Sequence, residues 1–154
     1  MQHAGISWGR AAAALAGLAS ALLASSAQAD EAQLHYLLHC QGCHLADGSG
    51  SPGAVPNLVG SVGRFLTVPG GRAYLVQVPG SAQSDLDDAQ LAAVLDWMVV
   101  RFGPSEVAVD FERFSAEEVA RVRAVPLADP AAVRERLMER LDGSASRRSG
   151  ARSE

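Results

Sequence analysis

The chain has 154 residues and a formal net charge of −4, from 17 acidic and 13 basic side chains. That mild acidity argues against a nucleic-acid partner, which needs a clustered basic surface. The length suits one domain behind a leader. Every basic residue is arginine, which together with the abundant alanine and glycine reads as the codon bias of a GC-rich genome.

Residues 1–29 read as a secretory signal peptide. Arg10 is their one fixed charge, Ala11 to Ala24 is a run of small and apolar residues, and Ala27-Gln28-Ala29 offers a cleavage site before Asp30. The apolar run is about 14 residues, short of the roughly 20 that a bilayer span needs. The expectation is an exported, periplasmic protein of about 125 residues with no membrane span after cleavage, one unit more negative once Arg10 is gone.

From Glu31 to Leu38 the spacing predicts a helix, with Leu34, Leu37 and Leu38 along one side and Tyr36 one turn before Cys40. Cys40-Gln41-Gly42-Cys43-His44 follows. Two thiols three positions apart with a histidine directly after form the attachment signature of a c-type haem. On one helical turn both sulfurs reach the two vinyl groups on one porphyrin edge, and the next residue offers the iron an imidazole. Cys40, Cys43 and His44 are therefore the candidate cofactor site, with His44 the metal ligand and one covalent haem c the cofactor. Other chemistries for the same residues are a disulfide, a thioredoxin-like redox pair, which wants a preceding strand, and a zinc site recruiting His35 or His39. Export and haem attachment support each other, because bacteria attach this haem outside the cytoplasmic membrane.

Gly48 to Gly60 is a glycine- and proline-rich loop whose carbonyls can orient the free nitrogen of His44. Ser61–Leu66 and Gly71–Val78 read as short helices parted by Val68-Pro69-Gly70. No GxxxxGK pattern is present, so the glycines are turns rather than a phosphate cradle. Arg64 and Arg72 are candidates to pair with haem propionates. Asp87 to Phe102 is the clearest helix. Asp87 and Gln90 form a capping box, Leu91, Val94, Leu95, Met98 and Phe102 make its stripe, and Gly103-Pro104 ends it.

In that order, Tyr36, Cys40, Cys43, His44, Pro56, Leu58, the Leu86-Asp87 helix start and Trp97 resemble a small single-haem class I cytochrome c over about Asp30 to Phe102. The resemblance implies an all-α fold with the first and last helices crossing. It also implies a methionine sulfur completing the iron's coordination from the loop before the last helix. Here that loop, Val78 to Leu86, holds no methionine, histidine or lysine. The sixth position then falls to Met98, Met138, His35 or His39, to a weak group such as Gln83 or water, or stays open. A Met/His pair raises the potential and seals the iron for electron transfer, whereas an open position admits small ligands.

Beyond Pro104 acidic and basic residues alternate. Ser115-Ala116-Glu117-Glu118 is a capping box opening a helix to about Arg123, and Asp129-Pro130 opens a second. Its apolar face is Val133, Leu137 and Leu141, with Gly143 as its expected stop. These helices either wrap the haem domain or dock a partner. The organisation expected is signal peptide 1–29, haem domain 30–103, helical extension 104–143 and disordered tail 144–154. The function expected is a periplasmic single-electron carrier serving redox partner proteins, with no catalytic residues. A haem-based sensor with an open iron site, or a haem subunit of a larger dehydrogenase complex, are the alternatives.

Overall fold

The computed structural model describes residues 28–103 and 111–150. The expected leader therefore lies outside the described residues except for Gln28 and Ala29, as does the start of the expected extension. All regular structure among the described residues is helical, which agrees with the all-α expectation. Helix α1 is described over 28–39. A 3-10 helix follows at Val62–Thr67, then α2 at Gly71–Gln77, α3 at Pro79–Ala82 and α4 at Asp88–Phe102. In the extension, α5 spans Ala116–Arg123 and α6 spans Pro130–Gly150.

α1 turns a different face inward from the one its leucines suggest. Ala32 and Tyr36 are buried, and Cys40, four further on, is partly so. Leu34 and Leu38 are more than half exposed, and Leu37 is exposed as well. Spacing of four places 32, 36 and 40 on one side of a helix. The Tyr36 ring sets the helix's rotation by lying 5.1 Å from Trp97 and 5.4 Å from Phe102. Trp97 and Phe102 meet edge to face at 5.3 Å, the offset geometry that aromatic pairs favour. This trio joins α1 to α4.

α4 begins as expected. Gln90 N–H donates to Asp87 Oδ1 at 2.8 Å, and Asp87 N–H donates back to Gln90 Oε1 at 3.0 Å. Leu91, Val94, Leu95, Met98 and Phe102 are all buried. The loop between α1 and the 3-10 helix is tied to the end of α4, where Gly60 N–H donates to Phe102 O at 2.7 Å. Gly48 in that loop has φ +81°, and a Cβ there would stand 2.7 Å from the Phe102 ring. Only glycine fits.

The extension packs back on the rest of the chain, α5 against α4 and α2, and α6 against the 3-10 helix and α2. Leu137 and Leu141 are buried as their spacing predicted, and Asp129 caps α6 through Ala132 N–H at 2.9 Å. Gly143 does not stop α6, which runs on to Gly150 and so through much of the tail expected to be disordered. A glycine costs a helix about 1 kcal/mol, which its flanks can absorb. Here Ser144 Oγ donates to Arg140 O and Ser146 Oγ donates to Asp142 O, one turn back in each case.

Candidate functional site

Cys40 closes α1, its N–H donating to Tyr36 O at 2.8 Å. The chain then stays in a tight turn, with Cys43 and His44 N–H both donating to Cys40 O, at 3.1 and 2.9 Å. Both thiols and the imidazole are thus carried on one turn. Tyr36 fixes that turn from within, its hydroxyl donating to Leu45 O at 2.7 Å. Burial pushes the Tyr36 hydroxyl up to about 12, with negative charge at Cys40 and Asp47 adding to it.

The two thiols differ. Cys40 is partly buried and Cys43 exposed, and neither is in a disulfide. Burial, then the charge of Cys43, pushes the Cys40 thiol up to about 11, so it stays protonated at neutral pH. His44 is drawn below the usual imidazole range by burial, with the Pro56 carbonyl working the other way. Its Nδ1 is buried and makes no hydrogen bond of normal geometry. An imidazole with an orphaned nitrogen, next to two thiols on the same turn, is a donor set that fits a covalently held haem and its iron. A zinc site fits less well, because no group of three or more His, Cys, Asp or Glu converges among the described residues. A thioredoxin-like pair lacks its preceding strand.

The other candidates lie apart. His35 faces a cavity of about 890 Å³ between α1, α4 and Phe114, whose wall includes none of the attachment residues. Its Nε2 is 3.7 Å from Glu31 Oε1, too far for a hydrogen bond, and both ring nitrogens are buried without partners. The His39 ring is 6.0 Å from that of His35. Met98 sits in the buried stripe of α4, Met138 packs from α6 against the core's edge, and Gln83 is exposed.

Arg72 does not serve as a free cation for propionates. Its Nε and Nη2 donate to the two Glu118 carboxylate oxygens at 2.6 and 2.8 Å. Nη1 reaches Glu112 O, Nη2 also reaches Arg113 O, and the guanidinium lies 3.9 Å over the Phe114 ring. Among the described residues Arg64 pairs with Asp142 at 3.7 Å and keeps a third of its side chain exposed. Sequence reasoning also missed Arg123, which donates to Leu86 O, Ala82 O and Ser84 O and pairs with Asp88 at 3.1 Å. The capping box expected at Ser115–Glu118 is only half formed: Glu118 N–H donates to Ser115 Oγ at 3.2 Å, while its carboxylate goes to Arg72 instead.

No protein-family model matches the chain. It is 35% identical over 128 residues to a Cytochrome c-552 of Thermus thermophilus, a match covering 71% of this chain and 85% of that protein. It is likewise 35% identical over 127 residues to another Cytochrome c-552 of Thermus thermophilus, covering 71% of this chain and 95% of that one.

Proposed function

This chain belongs to the c-type cytochromes, and on that premise we propose that it is an exported single-electron carrier. One haem c is attached through Cys40 and Cys43, and His44 is the proximal ligand. The observation that carries this reading is the single turn bearing both thiols and an imidazole with an orphaned, buried Nδ1.

The bound haem supplies one reversibly exchanged electron. The chain does the rest. Cys40 and Cys43 fix the group at the end of α1, where Tyr36 and Leu45 lock the turn. Burial draws His44 below the usual imidazole range, which favours the uncharged form in which an imidazole ligates. Arg64 is the basic side chain left for a propionate, since Arg72 is committed to Glu118. The partners are redox proteins, a donor and an acceptor, rather than nucleic acid. Among the described residues no helix is long and apolar enough to cross a membrane, and the leader 1–29 supports a periplasmic location.

Production in a host with active c-type haem maturation tests this. The purified protein is expected to be red, with a mass raised by one haem that survives denaturation. Cys40→Ala with Cys43→Ala abolishes that mass gain, and His44→Ala removes most of the holoprotein. A bare-chain mass from the unaltered sequence overturns the assignment.

A further inference from the structure

We propose that no side chain of this protein occupies the sixth position of its haem iron, leaving a binding site for small neutral diatomic molecules such as carbon monoxide or nitric oxide. The inference rests on the attachment at Cys40, Cys43 and His44 proposed above and goes beyond it.

A side-chain sixth ligand would be a thioether, imidazole, amine, thiolate or tyrosine phenolate. Both cysteines are spent on the attachment, the Tyr36 hydroxyl is bound to Leu45 O, and the buried Tyr74 ring packs 5.2 Å from Phe65. The chain has no lysine, and apart from His44 and the leader residues Met1 and His3 it offers His35, His39, Met98 and Met138. The histidines share α1 with Cys40, which the thioether pins at the porphyrin edge. His35 stands five positions before Cys40, about 140° of rotation and ~7.5 Å of rise on a helix. Its ring lines the cavity that Trp97 and Phe114 also line, away from the attachment residues. His39 adjoins Cys40 in the chain and leaves α1 about 100° round from it. Met98 is 8% exposed in the same stripe as Val94, Leu95 and Phe102, on a helix capped at its start and held by Asp96 to Phe114 N–H at 3.0 Å. Met138 lies on α6, beside the Leu137 that packs over Gly70.

The connection from α2 to α4 is closed down as well as lacking a donor. Val78 ends α2 and starts α3, its carbonyl accepting from the N–H groups of Ser81 and Ala82, both at 2.9 Å. Gln83 N–H returns to Pro79 O, and Ser84 Oγ donates to Ser81 O. Arg123 then takes the carbonyls of Ala82, Ser84 and Leu86. With these groups bound to one another and to the extension, the connection has no slack with which to swing a side chain across the haem. Gln83, its one amide, is exposed to solvent.

The holoprotein is studied by absorption and electron paramagnetic resonance in the ferric state, and by carbon monoxide titration after reduction. High-spin ferric iron and stoichiometric carbon monoxide binding are expected, both unchanged in Met98→Leu and Met138→Leu. Low-spin ferric iron that resists carbon monoxide when reduced overturns the proposal, and so does a low-spin signal lost in either variant. Those outcomes leave haem attachment standing, whereas protein lacking covalent haem removes the reading beneath it.

Discussion

Replacing Arg72 by methionine removes the strongest polar link between α2 and the extension while keeping most of the apolar stem. Two charge-assisted bonds run to Glu118, with the two side chains 25% and 21% exposed. Bonds to a charged group contribute about 1.5–3 kcal/mol, and partial exposure takes the pair toward the lower end. The Phe114 contact adds about 0.5–1 kcal/mol. Arg72→Met is therefore expected to lower unfolding stability by about 3 kcal/mol, read by urea unfolding of the holoprotein at neutral pH. The effect has a defined pH dependence. Arg72 holds the Glu118 carboxyl below its ordinary range, so this stability is present above the unfolded glutamate value of about 4.3 and is lost as pH falls through the lower folded value. The difference between the parent and Arg72→Met should accordingly shrink in acid. A cycle with Glu118→Gln isolates the pair. A coupling below about 0.5 kcal/mol at neutral pH, or a mutational difference that does not fall in acid, refutes the reasoning.

Other substitutions probe other joints. Gly48→Ala meets both a φ of +81° and the Phe102 ring, and should cost about 2–4 kcal/mol from left-handed strain plus overpacking, read as a lowered urea midpoint. Leu141→Ala, at a site 2% exposed, should cost about 2–5 kcal/mol. A loss of under about 1 kcal/mol by the same assay would mean that α6 does not rest on the core in solution. Tyr36→Phe keeps the ring stack but gives up the bond to Leu45 O. A cost of about 1 kcal/mol, with covalent haem yield retained, is the expected result by denaturation and mass spectrometry.

Some of this was legible in the residues and some was not, for reasons that can be named. α4 was readable because everything that sets it is local: a capping box at Asp87 and Gln90, apolar residues at helical spacing, and a glycine stop. The Cys40–His44 turn was readable because its chemistry is confined to five consecutive residues. The inward face of α1 was not. Three leucines outweigh one tyrosine in any count of apolar residues, but the aromatic partners of Tyr36, Trp97 and Phe102, stand far along the chain. The Arg72 assignment failed similarly, because its partner Glu118 lies 46 residues on. α3 escaped because four residues are too few to show periodicity, and Gly143 misled because α6 is supported on both sides of it.

The extension is better understood as part of the fold than as an appendage. Several of its charged side chains reach beyond the extension, Asp142 toward Arg64 at 3.7 Å and Arg113 toward Asp96 at 3.8 Å among them. Glu118 reaches α2, Arg123 reaches the connection before α4, and Arg140 donates to Pro69 O at 2.9 Å ahead of α2. The side-chain hydrogen bonds of Glu118, Arg123 and Arg140 land between residues 69 and 88, the stretch that leads into α4. A connection as short as Val78–Asp87 has little apolar content of its own, with Leu86 its deeply buried side chain, so its carbonyls need outside donors. Arg123 supplies several from one planar group, which a lysine could not do in the same geometry. The helices after residue 111 and the brevity of the connection before α4 are thus two parts of one arrangement: the chain holds that connection from outside, with a guanidinium.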